Sequence, residues 1–274
     1  MQNPETFPAN TLAPRVLLLT SPGLFGAITI NRLAAATGLQ LVGVGLTDRI
    51  YRNKGKLAGA HTFRLRTGWR YFTWQALQAD VSWTTLQLTG RPKGLKQSGA
   101  SVRRLTDVNS KAAREWMTSL RPDFVVSLYF NQKIGPEVCA IPTRGCINLH
   151  PSLLPDLRGP DPVFRALERK LTMTGLTIHE VAAEIDAGKI LHQESREIPP
   201  GLTVLGLFEM LVRDGADLLA RWLEGRVAAQ VPAPCDQPGD YTTFPTHMEV
   251  NQFLAQGGEL FRLKEWRRAL AAVE

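Results

Sequence analysis

Apolar runs of strand length alternate with stretches of helical period along most of this chain. The first run, residues 15–20 (RVLLLT), leads into a breaker-rich turn, Ser21-Pro22-Gly23-Leu24-Phe25-Gly26, and then a helix-like stretch over 27–36. A second apolar run follows at 39–47 (LQLVGVGLT). Strand, loop, helix and strand in that order are how a parallel α/β sheet begins. The alternation is interrupted over about 49–104, where a helix is expected from 68 to 88. It resumes with a short strand at 101–105 and a helix over 111–120, capped by Asn109 or Ser110 and stopped by Pro122. Residues 123–130 (DFVVSLYF) read as a buried strand, 134–140 as a short helix and 145–150 (GCINLH) as a further strand. A helix over 163–169, strands at 176–181 and 189–194, and a longer amphipathic helix over 204–223 complete the pattern. In that last helix Leu205, Phe208, Leu211, Val212, Leu218 and Leu219 recur at helical spacing. Past 231 the chain is proline-rich and then holds a short helix over 248–256. The expected division is a body over 1–225, carrying the interruption at about 49–104, and a small C-terminal appendage over 226–274.

With 44% hydrophobic and 21% charged residues in 274, the chain has enough apolar content for a sizeable core and is not disordered by composition. Three cysteines, Cys139, Cys146 and Cys235, are too few for a disulfide framework and lack metal-ligand spacing. A reducing, cytoplasmic setting with no metal is the expectation. The first fourteen residues show no secretory pattern, and no apolar run is long enough to span a membrane. The formal charge is +7, but it is not spread evenly. From Arg49 to Arg104 twelve Lys or Arg face a single acid, Asp80, leaving the rest of the chain mildly acidic. This basic segment also holds Trp69, Tyr71, Phe72, Trp74 and Trp83.

The informative stretch is Asn148-Leu149-His150-Pro151-Ser152-Leu153-Leu154-Pro155. On a strand, residues two apart share a face. Asn148 and His150 therefore point one way and Leu149 the other, at the carboxyl end of a strand that Pro151 terminates. That end is where open α/β sheets bind ligands. The loop at Ser21, Gly23, Leu24 and Phe25 has two readings, an anion cradle at a helix N-terminus or a simple tight turn. It lacks a dinucleotide fingerprint. His61, His179, His192 and His247 are scattered and are read as structural or exposed.

The run Ile147–Pro155, with Arg158-Gly159 and Pro162 after it, resembles the signature of the folate-dependent formyltransferases. That family includes the methionyl-tRNA, glycinamide ribonucleotide and amino-sugar formyltransferases. Thr174-Gly175-Leu176-Thr177 and Glu184-Ile185-Asp186-Ala187-Gly188-Lys189-Ile190-Leu191 resemble its second motif. The resemblance implies a Rossmann-like, mostly parallel sheet with helices on both faces. It implies Asn148, His150 and Asp186 as a catalytic trio and 10-formyltetrahydrofolate as the donor. Asn131, Gln132, Lys133 and Ile134 would form one wall of the donor site, and Ala182, Ala183, Glu184 and Ile185 the other, largely through backbone. Ser21, Gly23, Leu24, Phe25, Ser152 and Arg158 would meet the amine substrate.

The chemistry of the trio agrees with that assignment. An amine attacking an amide-like carbon produces an oxyanion, which needs hydrogen-bond donors where its charge develops. An Asn amide and a protonated imidazole both donate, and a carboxylate beside an imidazole favours its charged form and holds its orientation. The same carboxylate is placed to take the amine's proton, directly or through a water.

The family resemblance names the donor but not the acceptor. By resemblance, methionyl-tRNA enzymes carry a further C-terminal barrel domain and purine-pathway enzymes lack the extra basic segment. Tyr241-Thr242-Thr243-Phe244-Pro245-Thr246 resembles short tails of amino-sugar formyltransferases. A small amine is therefore favoured, an amino sugar or a modified amino acid. The alternatives are methionyl-tRNA as acceptor, hydrolysis of the donor, and a non-catalytic binding module of the same fold. The basic aromatic segment suits a solvated face around an insertion, a phosphate-bearing substrate, a membrane surface or nucleic acid. A homodimer is left open.

Overall fold

A computed structural model describes residues 13–47, 56–90, 92–227 and 239–273. Arg49, Arg52, Lys54, Arg91, Cys235 and the polar start up to residue 12 lie outside the described residues.

Apolar alternation produces the sheet. Strands β1 (Arg15–Thr20), β2 (Gln40–Thr47), β3 (Ser101–Leu105), β4 (Phe124–Leu128), β5 (Gly145–His150), β6 (Met173–Glu180) and β7 (Ile190–Glu197) form one sheet in the order β3-β2-β1-β4-β5-β6-β7. The first five are parallel to one another, β6 is antiparallel to β5, and β7 is antiparallel to β6. Strand order reverses between β1 and β4, which opens a crevice at their carboxyl ends. β4 is buried along its whole length, as expected of a strand covered on both faces.

Helices cover both faces, which gives two core clusters. On one side α1 (Leu24–Ala35) and α8 (Val204–Leu223) pack over Val16, Leu18, Val126 and Leu149. On the other, α5 (Lys111–Ser119) and α6 (Pro136–Cys139) pack over Leu17, Leu19 and Val125. Both faces of each strand are thus used, as the period of two requires. Of the two candidate caps for α5, Ser110 is the one used. Its hydroxyl accepts from the Ala113 N–H.

The basic segment forms α2 (Lys56–Ala76), continued by a π-helical turn at Leu77–Val81 and by α3 (Ser82–Leu88), with a short α4 (Lys93–Gln97) before β3. It begins earlier than the pattern indicated, and Gly68 marks a kink inside it rather than its start. Phe63, Thr67, Tyr71, Trp74 and Gln78 lie along its buried side, while Arg64, Leu65, Trp69 and Arg70 are exposed. Arg64 and Arg70 thus occupy a solvated outer face with aromatics beneath it, while Arg66 donates to Thr243 Oγ1 at 2.7 Å.

After α7 (Pro162–Glu168), β6, β7 and α8, residues 239–273 supply α9 (His247–Ala255) and α10 (Leu263–Ala271). α9 begins with a capping box between Thr246 and Glu249. Val250, Phe253, Leu260, Ala269 and Leu270 join the larger core cluster. The stretch read as an appendage therefore shares its apolar packing with the body. α10, in a stretch where the pattern assigned no element, buries only Glu265, Ala269 and Leu270.

Candidate functional site

A cavity of about 490 Å³ lies at the carboxyl ends of β4 and β5, beside the strand-order reversal. That size suits a small organic ligand. Leu128, Ile134, Phe208, Leu211 and Val212 line it with apolar surface. Asn148, His150 and Asp186 also line it, so the two sequence motifs converge there.

Asn148 and His150 share a face of β5 because they are two apart, while Leu149 enters the core. The His150 Nε2–H donates to the Leu157 carbonyl at 3.0 Å, which leaves Nδ1 facing Asp186 Oδ2 at 3.6 Å. Both side chains are almost wholly buried. Asp186 sits in a turn with φ +53°, and its Oδ2 accepts from the Gly159 N–H at 2.9 Å. Gly159 itself has φ +113°, and a Cβ there would stand 2.0 Å from the Thr242 carbonyl oxygen. No other residue fits between these two backbones.

The antiparallel register places His179 on β6 directly opposite Asn148. The Asn148 amide then has defined partners at both ends. Its Oδ1 accepts from Ser127 Oγ at 2.7 Å, and its Nδ2 donates to His179 Nε2 at 2.9 Å. His179 accepts there because its Nδ1–H donates to the Glu180 carbonyl at 2.8 Å. Burial, reinforced by the neighbouring His150, pushes the His179 pKa down to about 4, against the pull of Asp186 at 3.7 Å. A neutral His179 thus fixes the amide orientation and leaves one Asn148 N–H uncommitted among the described residues. His179, which the sequence suggested was structural or exposed, is buried, lines the cavity and contacts two of the three expected residues. His192 is buried against Glu194, while His61 and His247 are exposed.

Asn131, Gln132, Lys133 and Ile134 line one side of the cavity, and Ala182, Glu184 and Ile185 the other. The Gln132 side chain is spent on the fold, donating to the Leu105 carbonyl and accepting from the Val108 N–H, each at 2.9 Å. The 131–134 wall is therefore held from behind. Ala183 is exposed and lies off the cavity.

Several residues expected to meet the amine do not reach the cavity. Ser152 is fully buried and donates to the Asp156 carbonyl at 2.8 Å. Arg158 turns its guanidinium onto the Ile185 carbonyl, Nη2 at 2.8 Å, with Glu184 at 3.6 Å, so it braces the loop bearing Asp186. In the first loop Ser21 and Phe25 line the cavity, but Leu24 is buried in the core and Gly23 packs under the π-turn. A Cβ on Gly23 would meet the Gln78 carbonyl oxygen at 2.8 Å. The tight-turn reading of this loop describes what is seen.

Residues 92–221 match a family model described as formyl transferase. The matched segment, just under half of this chain, is similar to the formyltransferase family. The matched segment contains Asn148, His150, His179 and Asp186, and it leaves out β1, β2, α2 and the C-terminal helices. The methionyl-tRNA formyltransferase of Moorella thermoacetica is 36% identical over 135 residues, covering 49% of this chain and 43% of that protein. The one from Thermotoga maritima is 37% identical over 117 residues, covering 43% and 37%. The chain thus matches less than half the length of these relatives. Among solved structures, phosphoribosylglycinamide formyltransferase from Bacillus halodurans superposes with a TM-score of 0.52 at 20% identity, over 77% of this chain and 94% of that one. A sugar N-formyltransferase from a Shewanella species does so with a TM-score of 0.52 at 20% identity, over 88% and 79%. These structures share the fold.

Proposed function

We propose that this protein transfers the formyl group of 10-formyltetrahydrofolate to the primary amine of a small molecule, an amino sugar or a modified amino acid. The observation that carries the proposal is the convergence of Asn148, His150 and Asp186 on one cavity, 2.9 to 3.7 Å from their partners in a single network with His179. The apolar lining and the 131–134 wall suit a flat heteroaromatic ring that needs backbone hydrogen bonds.

The donor supplies an activated formyl carbon. The uncommitted N–H of Asn148 meets the oxygen of that carbon as it becomes anionic, with the His150 imidazole as the second proposed donor. Because Ser127 and His179 hold the amide, its donation costs no reorganisation at the moment of reaction. Asp186, steadied by the Gly159 N–H and by Arg158 behind its loop, receives the proton that the attacking amine must lose. Collapse of the oxyanion then breaks the bond between the formyl carbon and the donor nitrogen, which takes up that proton and leaves as tetrahydrofolate.

A screen of primary amines with 10-formyltetrahydrofolate, read by the mass gained on adding one carbonyl, tests the proposal. Transfer is expected in the wild type and lost in His150→Ala and Asp186→Ala, each with an unchanged melting transition. Full activity in either variant would overturn the mechanism. Formate released without any amine would indicate a hydrolase instead.

A second reading takes methionyl-tRNA as the acceptor, which the names of the Moorella and Thermotoga relatives favour. It predicts RNA binding that weakens steeply with salt. The small-molecule reading is supported by Tyr241, Thr243 and Phe244 of the C-terminal stretch lining the cavity.

A further inference from the structure

One wall of the cavity is built by α2 and the π-turn that follows it, all outside the segment matched by the family model. A chain of side-chain hydrogen bonds runs through this wall. The Tyr71 hydroxyl donates to Asp161 Oδ2, whose partner oxygen already caps α7 by accepting from the Phe164 N–H at 3.0 Å. The same hydroxyl accepts from Gln75 Nε2 at 3.0 Å. Gln75 Oε1 accepts from Gln78 Nε2 at 2.8 Å.

Each bond in this chain sets the direction of the next. Asp161 is anchored by the helix cap, so Tyr71 must donate to it. Gln75 must then turn its nitrogen to Tyr71 and its oxygen to Gln78, and Gln78 must turn its nitrogen to Gln75. The far end is Gln78 Oε1. It is buried, it belongs to a residue lining the cavity, and it has no hydrogen-bond partner among the described residues. A buried acceptor without a donor is costly and calls for an explanation. The π-turn supplies the second observation. Such turns re-aim side chains and occur often at functional sites. Here the turn lies against the first loop, which Gly23 permits by having no Cβ.

We propose that Gln78 Oε1 is a specificity contact for the acceptor and receives a hydroxyl O–H carried beside the reacting amine. The acceptor is thereby defined as a hydroxylated amine, and this rests on the amine-transfer reading above. Aromatic residues lining the same cavity, Trp74, Tyr241 and Phe244, suit the apolar C–H faces of a polyol ring whose hydroxyls project at its edge. A fixed acceptor atom also discriminates. It rejects an analogue lacking the hydroxyl, because Gln78 would stay unpaired beneath it.

The test compares glucosamine, a hydroxylated amine, with cyclohexylamine, a six-membered ring amine without hydroxyls. Affinity is read from the shift in melting temperature as each is titrated into the full chain. Glucosamine is expected to stabilise the wild type more than cyclohexylamine does, and Gln78→Leu is expected to lower its affinity about tenfold, the effect of one hydrogen bond. Cyclohexylamine should bind both proteins alike. If Gln78→Leu lacks a cooperative melting transition, Gln78→Met, which also lacks the acceptor atom, replaces it. Equal glucosamine affinity in wild type and variant, or no glucosamine response at all, would overturn the inference. Binding of 10-formyltetrahydrofolate to the wild type is measured alongside. Donor binding without a Gln78 effect removes only this inference, whereas absence of donor binding removes the transfer reading itself.

Discussion

Two buried groups in this protein titrate in opposite senses over the same pH range, and the balance between them can be measured. Burial holds the His179 pKa at about 4, below the ordinary value of 6.5. Burial raises the Asp161 pKa to about 6, from an ordinary 3.8, against the opposing hydrogen bonds from the Tyr71 hydroxyl and the Phe164 N–H. For His179 the unfolded chain binds a proton that the folded chain refuses. Its stabilising contribution is present above pH 6.5 and is lost as the pH falls toward 4. For Asp161 the folded chain keeps a proton that the unfolded chain has released. Its contribution is present below 3.8 and is lost as the pH rises through 6. Between about pH 4.5 and 6 the two slopes cancel, each being about 1.4 kcal/mol per pH unit. Removing either group exposes the other. From pH 6 down to 4.5, Asp161→Asn should lose about 2 kcal/mol of stability relative to wild type, and His179→Leu should gain about 2 kcal/mol. Asn is chosen because it keeps a helix-capping oxygen. Urea unfolding followed by tryptophan fluorescence at several pH values gives the curves. Carboxylates common to all three proteins drop out of the comparison. Three parallel plots of stability against pH would refute the reasoning.

Asn148→Ala removes a donor from the proposed oxyanion site and should lower the transfer rate by about 10²- to 10³-fold, with little change in donor affinity, as read by steady-state kinetics. Arg158→Ala frees the Ile185 carbonyl and should raise the KM for the donor more than it lowers kcat, with faster amide exchange across 182–187. Gly159→Ala forces a Cβ against the Thr242 carbonyl at a positive φ and should cost about 1–3 kcal/mol or more in denaturant unfolding.

Period-two runs and cap residues were enough to locate all seven strands to within about three residues at either end and to place the pair Asn148 and His150 on one face. Strand direction was not readable. An apolar run looks the same in a parallel or antiparallel pair, so nothing in 173–180 announced that β6 would lie antiparallel to β5. The role of His179 was lost for that reason, because only the register sets it across from Asn148. A signal existed in its setting, since it continues a buried run that includes Leu176 and Ile178. The buried face of α2 was also open to reading, because Phe63, Thr67, Tyr71, Trp74 and Gln78 fall three or four apart. The basic outer face drew attention away from it. Ser152 and Arg158 were misplaced for a different reason. A motif marks residues that matter without saying whether they face the ligand or hold the loop that does. α10 was missed because its sequence, LKEWRRALA, is mostly charged and few of its side chains are buried.

The cavity draws on two sets of chain segments. One end comes from the strand tips and from the loops at 131–134 and 179–186. The other comes from α2 with its π-turn and from residues 241–244. The second set belongs to stretches whose exchange leaves the strand order untouched. Grafting them as a pair between relatives is therefore a rational way to redirect the choice of amine while the reacting groups stay where they are. Because Thr242 abuts Gly159 and Tyr241 bridges to Arg158, such a graft must carry the 158–159 dipeptide with it.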